Sequence, residues 1–212
     1  MGLLLFLIVP VKRITPIFIS FILLPLFSLK AQTKNIGECT LQYSIVPMNT
    51  IDTIGVKWVY VKGDQCKTTI QTPQLVQTLL FNNQLTTATI TKDIGASHFM
   101  QELVYPPISQ PTLLSMKEVV VDSIVKILGY TCKQVELKWS DGVVYQIWYT
   151  PEIITTVSSF ELAFKEVGGL VLCYNVIPVT GNPIQYKALS IDFSPIPLSM
   201  FTVNKDQYQI IE

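Results

Sequence analysis

Residues 127–153 contain two strand-like runs joined by Asp141-Gly142, and this segment constrains the fold more than any other. An Asp-Gly dipeptide between alternating apolar residues is a strong signal for a β-hairpin turn. In the first run, apolar and polar side chains alternate with a period of two, which predicts a strand with one buried and one solvated face. The apolar set is Val135, Leu137 and Trp139, and the polar set is Gln134, Glu136 and Lys138.

The second run, residues 143–149, is apolar or aromatic on both faces, and residues 170–176 repeat this pattern. A short apolar run bounded by turn residues is typical of a strand that is buried on both sides. We therefore expect these two strands either to be covered on both faces or to line an apolar space.

Strand signals recur along the chain, because β-branched and aromatic residues are interrupted by Pro, Gly, Asn and Asp. Residues 73–83 fit a short helix or a strand, and residues 152–167 fit one helix. The fold class predicted is mainly β, an antiparallel sheet with one or two short helices, in a single domain over residues 37–212. The other predicted strands are residues 39–45, 55–62, 66–71, 85–92, 99–105, 118–125, 170–179 and 184–193.

The N-terminal residues 1–31 are strongly apolar and carry the basic pair Lys12-Arg13. A basic pair, an apolar stretch and a small residue at a cleavage point are typical of a secretory signal peptide, which predicts cleavage after Ala31. The run 14–29 is shorter than the roughly 20 apolar residues that a spanning helix needs. We therefore expect an exported chain whose mature part does not span a membrane, with a retained N-terminal anchor as the alternative.

The charge balance argues against nucleic acid as a partner. Arg13 is the only arginine, and without residues 1–31 the chain has three more acidic than basic residues. Arginine supplies the bidentate contacts to phosphate and guanine, and a basic surface supplies most of the affinity for nucleic acid. The predicted mature chain has neither of these features.

No catalytic, metal or cofactor pattern stands out in the sequence. The only histidine, His98, is interpreted as a surface or structural residue because no nucleophile motif surrounds it. The cysteines lack the close pairing of a zinc site, and Gly168-Gly169 lacks the Lys-Ser/Thr of a phosphate loop. We therefore expect no catalytic residue, no metal and no cofactor, and an enzyme is the least favoured class.

Four cysteines in an exported chain predict at least one disulfide, and three pairings are open. The alternative is that some of them are free and buried as small apolar residues. They are Cys39, Cys66, Cys132 and Cys173.

Aromatic and apolar residues on the predicted strands have two interpretations. They pack the core and the cross-strand pairs, or they line a curved sheet that holds an apolar ligand. The candidate ligand-lining residues are Trp58, Tyr60, Tyr145, Ile147, Trp148, Tyr149 and Tyr174.

Residues 127–133, ILGYTCK, and residues 144–153, VYQIWYTPEI, resemble the GLPGLI family of exported bacterial envelope proteins, whose function is unassigned. Residues 166–172, EVGGLVL, stand at the family's third motif, with Gly168 in place of its proline. The residues of these motifs that look structural are Gly129, Tyr130, Cys132, Pro151 and Gly169.

The resemblance implies a single curved antiparallel sheet similar to the half-barrel of the LolA and LolB lipoprotein carriers. The function it implies is non-catalytic binding of an apolar or lipid-like ligand, such as an acyl chain, in the periplasm or at the outer membrane. The alternative is a structural or interaction protein of the envelope with a packed core, whose partner is another envelope protein.

Overall fold

The computed structural model describes residues 33–120, 124–157 and 160–211. These belong to one compact unit, Gln32–Glu212. The predicted signal peptide, residues 1–31, lies outside the described residues, so its cleavage and the alternative of an anchor stay predictions. Within the described ranges, no helix is both long enough and apolar enough to cross a membrane.

The described chain is mainly β and contains no α-helix. Its three 3-10 segments are Leu162–Phe164, Leu198–Phe201 and Lys205–Gln207. The strands are β1 Lys34–Ile36, β2 Glu38–Pro47, β3 Gly55–Lys62, β4 Gln65–Gln71, β5 Val76–Asn82, β6 Thr87–Ile94, β7 Ser97–Val104, β8 Leu113–Val119, β9 Val125–Ile127, β10 Tyr130–Trp139, β11 Val144–Thr150, β12 Ile153–Thr155, β13 Leu170–Ile177, β14 Ile184–Asp192 and β15 Gln209–Ile210.

One large sheet joins two up-and-down arrays of strands. Strands β2 to β7 pair in sequence order, and the second array runs β14, β13, β11, β10 and β8. The two arrays meet where β2 pairs antiparallel with β14. Among the described strands, the edges β15 and β8 do not pair with each other, so the sheet is not closed into a barrel.

The expectation of a purely antiparallel sheet is corrected in two places. Strand β15 runs parallel to β7, and β1 pairs parallel with β12 in a separate two-stranded sheet. A parallel pair needs a long connection between its strands. The chain provides one because it returns from β14 to the far edge of the sheet through two 3-10 segments.

The hairpin predicted at Asp141-Gly142 is confirmed. Strands β10 and β11 pair from Lys133 and Tyr149 to Lys138 and Val144. Gly142 has a φ of 83°, and its N–H donates to the carbonyl of Trp139 at 2.9 Å. A positive φ at this position suits glycine because it lacks a Cβ.

The two segments with helical signals contain no α-helix. Residues 73–83, for which the sequence left helix or strand open, contain strand β5, Val76–Asn82, which pairs with both β4 and β6. Residues 152–167 hold the short strand β12 and the 3-10 segment Leu162–Phe164. Sheet pairing on both sides outweighs the weak local helix preference of these residues.

The expected disulfide is absent. All four cysteines lie in the described ranges, and each is free and buried. Cys39 and Cys66 both pair with Val61, from opposite sides of β3. Two strand spacings, roughly 9.6 Å, exceed the roughly 7 Å between Cα atoms that a disulfide can bridge.

The other two cysteines are also separated by a strand, because β11 lies between Cys132 on β10 and Cys173 on β13. Cys132 is buried at 6% exposure, although it shares parity with the polar Gln134. The change of face occurs where the partner of β10 switches from β9 to β8.

Candidate functional site

A cavity of about 310 Å³ lies against one face of the sheet. Leu79 on β5 and Tyr145 on β11 both line it, although their strands are six places apart in the sheet. In a flat sheet these strands would be about 29 Å apart, so the sheet bends around the cavity. The lining residues are Lys57, Thr68, Ile70, Gln77, Leu79, Tyr105, Tyr145, Phe160, Glu161 and Ala163.

Lys57 is a charged residue on the buried face of β3. Alternate residues of this strand point to the same side, and Lys57 shares its side with Val59 and Val61, which are both fully buried. The Lys57 side chain is only 1% exposed. A lysine buried to this degree needs a charged or hydrogen-bonding partner, because the loss of hydration disfavours its charged form.

The ammonium of Lys57 meets partners from the second strand array and from the segment before β13. Its Nζ donates to the Tyr174 hydroxyl at 2.8 Å and forms an ion pair with the Glu161 carboxylate. The Tyr174 hydroxyl in turn donates to Glu161 Oε1 at 2.7 Å. Tyr174 is fully buried, whereas Glu161 is 27% exposed.

Three aromatic rings surround this ammonium. Lys57 Nζ lies 5.6 Å from the ring centroid of Phe160, 5.3 Å from that of Tyr174 and 5.5 Å from that of Tyr186. Within about 6 Å, the negative face of an aromatic ring attracts a cation. The rings therefore stabilise the positive charge and also make its surroundings apolar.

Burial lowers the pKa of Lys57 from its usual value to about 7, and the nearby Cys66 thiol opposes this shift slightly. The Glu161 carboxylate also opposes it, because a contacting negative charge favours the ammonium form. Burial raises the pKa of the Tyr174 hydroxyl well above its usual value, so the hydroxyl stays neutral. The cluster can therefore hold one anionic group against an ammonium and a neutral hydroxyl.

Two further cavities adjoin the first. A cavity of about 180 Å³ shares Tyr145 and Ala163 with it. A cavity of about 470 Å³ shares Gln110 and Trp139 with the second and reaches Met116 on the edge strand β8. The three cavities form a trough from Lys57 to the sheet edge, which we call the Lys57 trough.

A separate cavity of about 250 Å³ lies near Phe201. Its charged lining residue among the described ones is Glu102, which is exposed and pairs with Lys205 at 2.6 Å. This cavity lacks a buried charge, so the Lys57 trough is the better candidate site.

The structure brings two of the seven predicted lining residues to the Lys57 trough. Tyr145 lines its first two cavities, and Tyr174 binds Lys57 through its hydroxyl. Ile147 lies two residues after Tyr145 on β11 and is fully buried in the main core.

The remaining predicted lining residues lie elsewhere. Trp58 and Tyr60 alternate with Lys57 along β3 and stack on each other at 6.4 Å on the opposite face. Trp148 pairs with Cys173 of β13. Tyr149 is half-buried, and its ring lies directly beside Gly169.

The family-like motifs meet at one end of the second strand array. Gly129, with a φ of 85°, turns the chain between β9 and β10, where Tyr130 pairs with Ile127. Glu152, which follows Pro151, accepts a hydrogen bond through Oε1 from the backbone N–H of Thr131 at 3.1 Å. The first two motifs are therefore joined directly.

Gly169, in the third motif, lies against the backbone of Thr150 at the end of the second motif. A Cβ at this position would come closer to the Thr150 carbonyl oxygen than real Cβ atoms do. Only glycine fits this close approach without a shift of the backbone. The three motifs thus share one structural cluster, and Tyr145 of the second motif and Glu166 of the third also line the Lys57 trough.

His98 lies at the β6–β7 turn and is 49% exposed. Its Nδ1 is 2.8 Å from Asp93 Oδ1, and its ring contacts Tyr208 edge-on. The described residues also contain no group of three or more His, Cys, Asp or Glu side chains that could hold a metal.

Sequence reasoning missed Lys57 and Glu161. On β3, Trp58 and Tyr60 are as apolar as Val59 and Val61, so alternation alone could not identify the inward face. The one available signal was that Lys57 shares its side of the strand with Val59 and Val61. Glu161 follows the aromatic Phe160 in an irregular segment, where no periodicity indicates direction.

Neither a protein-family model nor a curated protein sequence matches this chain. The class of protein is therefore defined by its fold: a mainly β protein whose large mixed sheet bends around a cavity. The resemblance to the GLPGLI family stays a prediction from the motifs.

Proposed function

We propose that this chain is an exported envelope protein that binds an apolar or lipid-like ligand without catalysis, in the Lys57 trough. The observation that carries the proposal is a cavity of about 310 Å³, a size that suits small ligands. Its lining combines apolar and aromatic side chains with four polar or charged ones, Lys57, Thr68, Gln77 and Glu161, and ligand pockets usually combine apolar walls with a few polar groups. The motif resemblance supports export to the periplasm or outer membrane and a half-barrel of the LolA type.

The test is saturable binding of a fluorescent fatty acid to the chain after removal of copurified lipid. Ala163 lines two of the cavities, so the larger side chain of Ala163→Leu takes up space that the ligand would occupy. This variant should weaken binding about tenfold. The matched control is Ala96→Leu, at an exposed turn, which should bind as the wild type does. Absence of saturable binding would contradict the proposal.

A second candidate is a structural or interaction protein that binds another envelope protein by strand addition. The observation in its favour is the edge strand β8, where Leu114 is 68% exposed and Met116 is 45% exposed. An exposed edge with apolar side chains can accept a strand from a partner. Two results together would favour this candidate. The wild type should capture an envelope protein that Leu114→Lys does not capture, and the chain should bind no fatty acid.

A further inference from the structure

The chemistry of the Lys57 trough indicates which lipid-like ligand it fits, and this inference rests on the proposed function. Its first cavity contains the buried ammonium of Lys57, which lies beside the ring of Phe160. A site for a purely apolar ligand has no need of a buried charge, and such a charge is costly to desolvate. The ammonium therefore points to a ligand with an anionic group.

Glu161 occupies the position that such an anionic group would take. Its carboxylate contacts both Lys57 Nζ and the Tyr174 hydroxyl, yet it is 27% exposed and belongs to an irregular segment. A ligand carboxylate that displaces it would receive the same two donors. The displaced Glu161 side chain would regain full hydration, so the exchange conserves the charge balance at Lys57.

A second polar group lines the same cavity without a strong partner. The Thr68 side chain is 92% buried, since its exposure is 8%. Its Oγ1 has no hydrogen-bond partner among the described residues, and the neighbouring Cys66 thiol is only a weak hydrogen-bonding group. A buried hydroxyl left unpaired is unfavourable, and a polar ligand atom in the cavity would pair it.

The shape of the trough selects a linear ligand. From Lys57, the cavities continue past Tyr145 and Ala163 to Trp139 and then to Met116 at the sheet edge. Three cavities that adjoin one another through shared lining residues suit an extended alkyl chain.

We propose that the Lys57 trough binds a long-chain monocarboxylate, with its carboxylate on Lys57 Nζ and the Tyr174 hydroxyl in place of Glu161. The alkyl chain then extends past Tyr145 towards Met116. Binding is non-covalent, and no proton or electron transfer is required.

The experiment compares palmitic acid with its methyl ester, at pH 6, below the pKa of about 7 of Lys57, by displacement of a fluorescent probe from the full chain. The two compounds have nearly the same alkyl chain, but the ester lacks the charge. The wild type should prefer the acid by about tenfold, since a charge-assisted contact of this kind contributes that much. Lys57→Met should bind both compounds alike.

A second variant tests the proposal even if Lys57→Met does not fold. Glu161→Gln removes the competing charge at a partly exposed position and should bind the acid more tightly than the wild type does, with the ester unchanged. Equal wild-type affinity for acid and ester would overturn the carboxylate proposal and leave the proposed function intact. If neither compound binds, or if the probe itself does not bind, both the carboxylate proposal and the proposed function are overturned.

Discussion

The Glu152 carboxylate accepts a hydrogen bond from the backbone N–H of Thr131 at 3.1 Å, across 21 residues of sequence. This contact fixes the turn after β11 to the start of β10. The backbone N–H of Glu152 also donates to the Thr150 hydroxyl at 3.3 Å, and the backbone carbonyl of Glu152 accepts a hydrogen bond from the N–H of Lys34 at 2.7 Å. Glu152 therefore connects β1, β10 and β11 through one residue.

We expect Glu152→Ala to lower the free energy of unfolding by about 0.5–1 kcal/mol, because the exposed Thr131 N–H exchanges this acceptor for water. Glu152→Gln retains an acceptor oxygen and should lose less. Glu118→Ala removes an acid that is 62% exposed on β8 and should change stability by less than about 0.5 kcal/mol. Urea unfolding gives the three values. Equal effects of the two Glu152 variants would contradict this role.

Gly169→Ala should destabilise the fold by about 1–3 kcal/mol, because the added methyl group overlaps the Thr150 carbonyl. The preceding residue provides the control, since a Cβ at Gly168 meets nothing within 4 Å. Gly168→Ala should therefore be close to neutral. Thermal unfolding of the two variants compares them, and a Gly169→Ala midpoint equal to that of the control would refute the close approach.

Leu128→Asn should stabilise the protein by about 1 kcal/mol. Leu128 has a φ of 52°, a left-handed conformation that is unfavourable for leucine and that asparagine tolerates better. The Asn-Gly sequence thus formed is the preferred one for a two-residue hairpin turn. The control is Leu85→Asn, because Leu85 is also exposed but does not have a positive φ. In urea unfolding, this control should not raise the free energy of unfolding.

The four thiols should react slowly in the folded protein and fully after unfolding. Burial raises the pKa of Cys39 and of Cys66 to about 12 and that of Cys173 to about 11. At pH 8 almost no thiolate is therefore present, and the thiolate is the reactive form. Titration with a thiol reagent in denaturant, without reductant, should count four thiols. A count of two would indicate a disulfide.

Stability should rise with pH above neutrality through Lys57. Its pKa is about 7 in the folded chain and 10.5 in an exposed lysine, so between these values the unfolded chain binds a proton that the folded chain lacks. Raising the pH therefore favours folding. Lys57→Met lacks this contribution but keeps the buried tyrosines. The difference in unfolding free energy, wild type minus variant, should increase from pH 7 to 10, and a constant difference would contradict the lowered pKa.

Much of the strand arrangement follows from sequence alone. Alternation at Cys39, Leu41 and Tyr43 identified β2 and its buried face, and Asp141-Gly142 located the central hairpin. Residues 170–177 are apolar on both faces in the sequence, and six of these eight residues are buried. These features are local, so the pattern of neighbouring residues determines them.

The candidate site depends on contacts that no local pattern contains. Lys57 contacts Glu161 and Tyr174, which are 104 and 117 residues later in the chain. The parallel pairing of β15 with β7 likewise depends on where the chain returns after β14. The missing disulfide has a similar cause, because strand order, rather than spacing in the sequence, places Val61 between Cys39 and Cys66.

The seam between β2 and β14 has a consequence for biosynthesis. Ser44 and Lys187 face each other there, 143 residues apart in sequence. A ribosome adds about 5–20 residues per second, so β2 waits roughly 10 s for its second neighbour. During that interval the nascent first array keeps an open backbone edge and a hydrated Lys57. Chaperone protection of this intermediate is therefore most valuable until β14, Ile184–Asp192, has been synthesised.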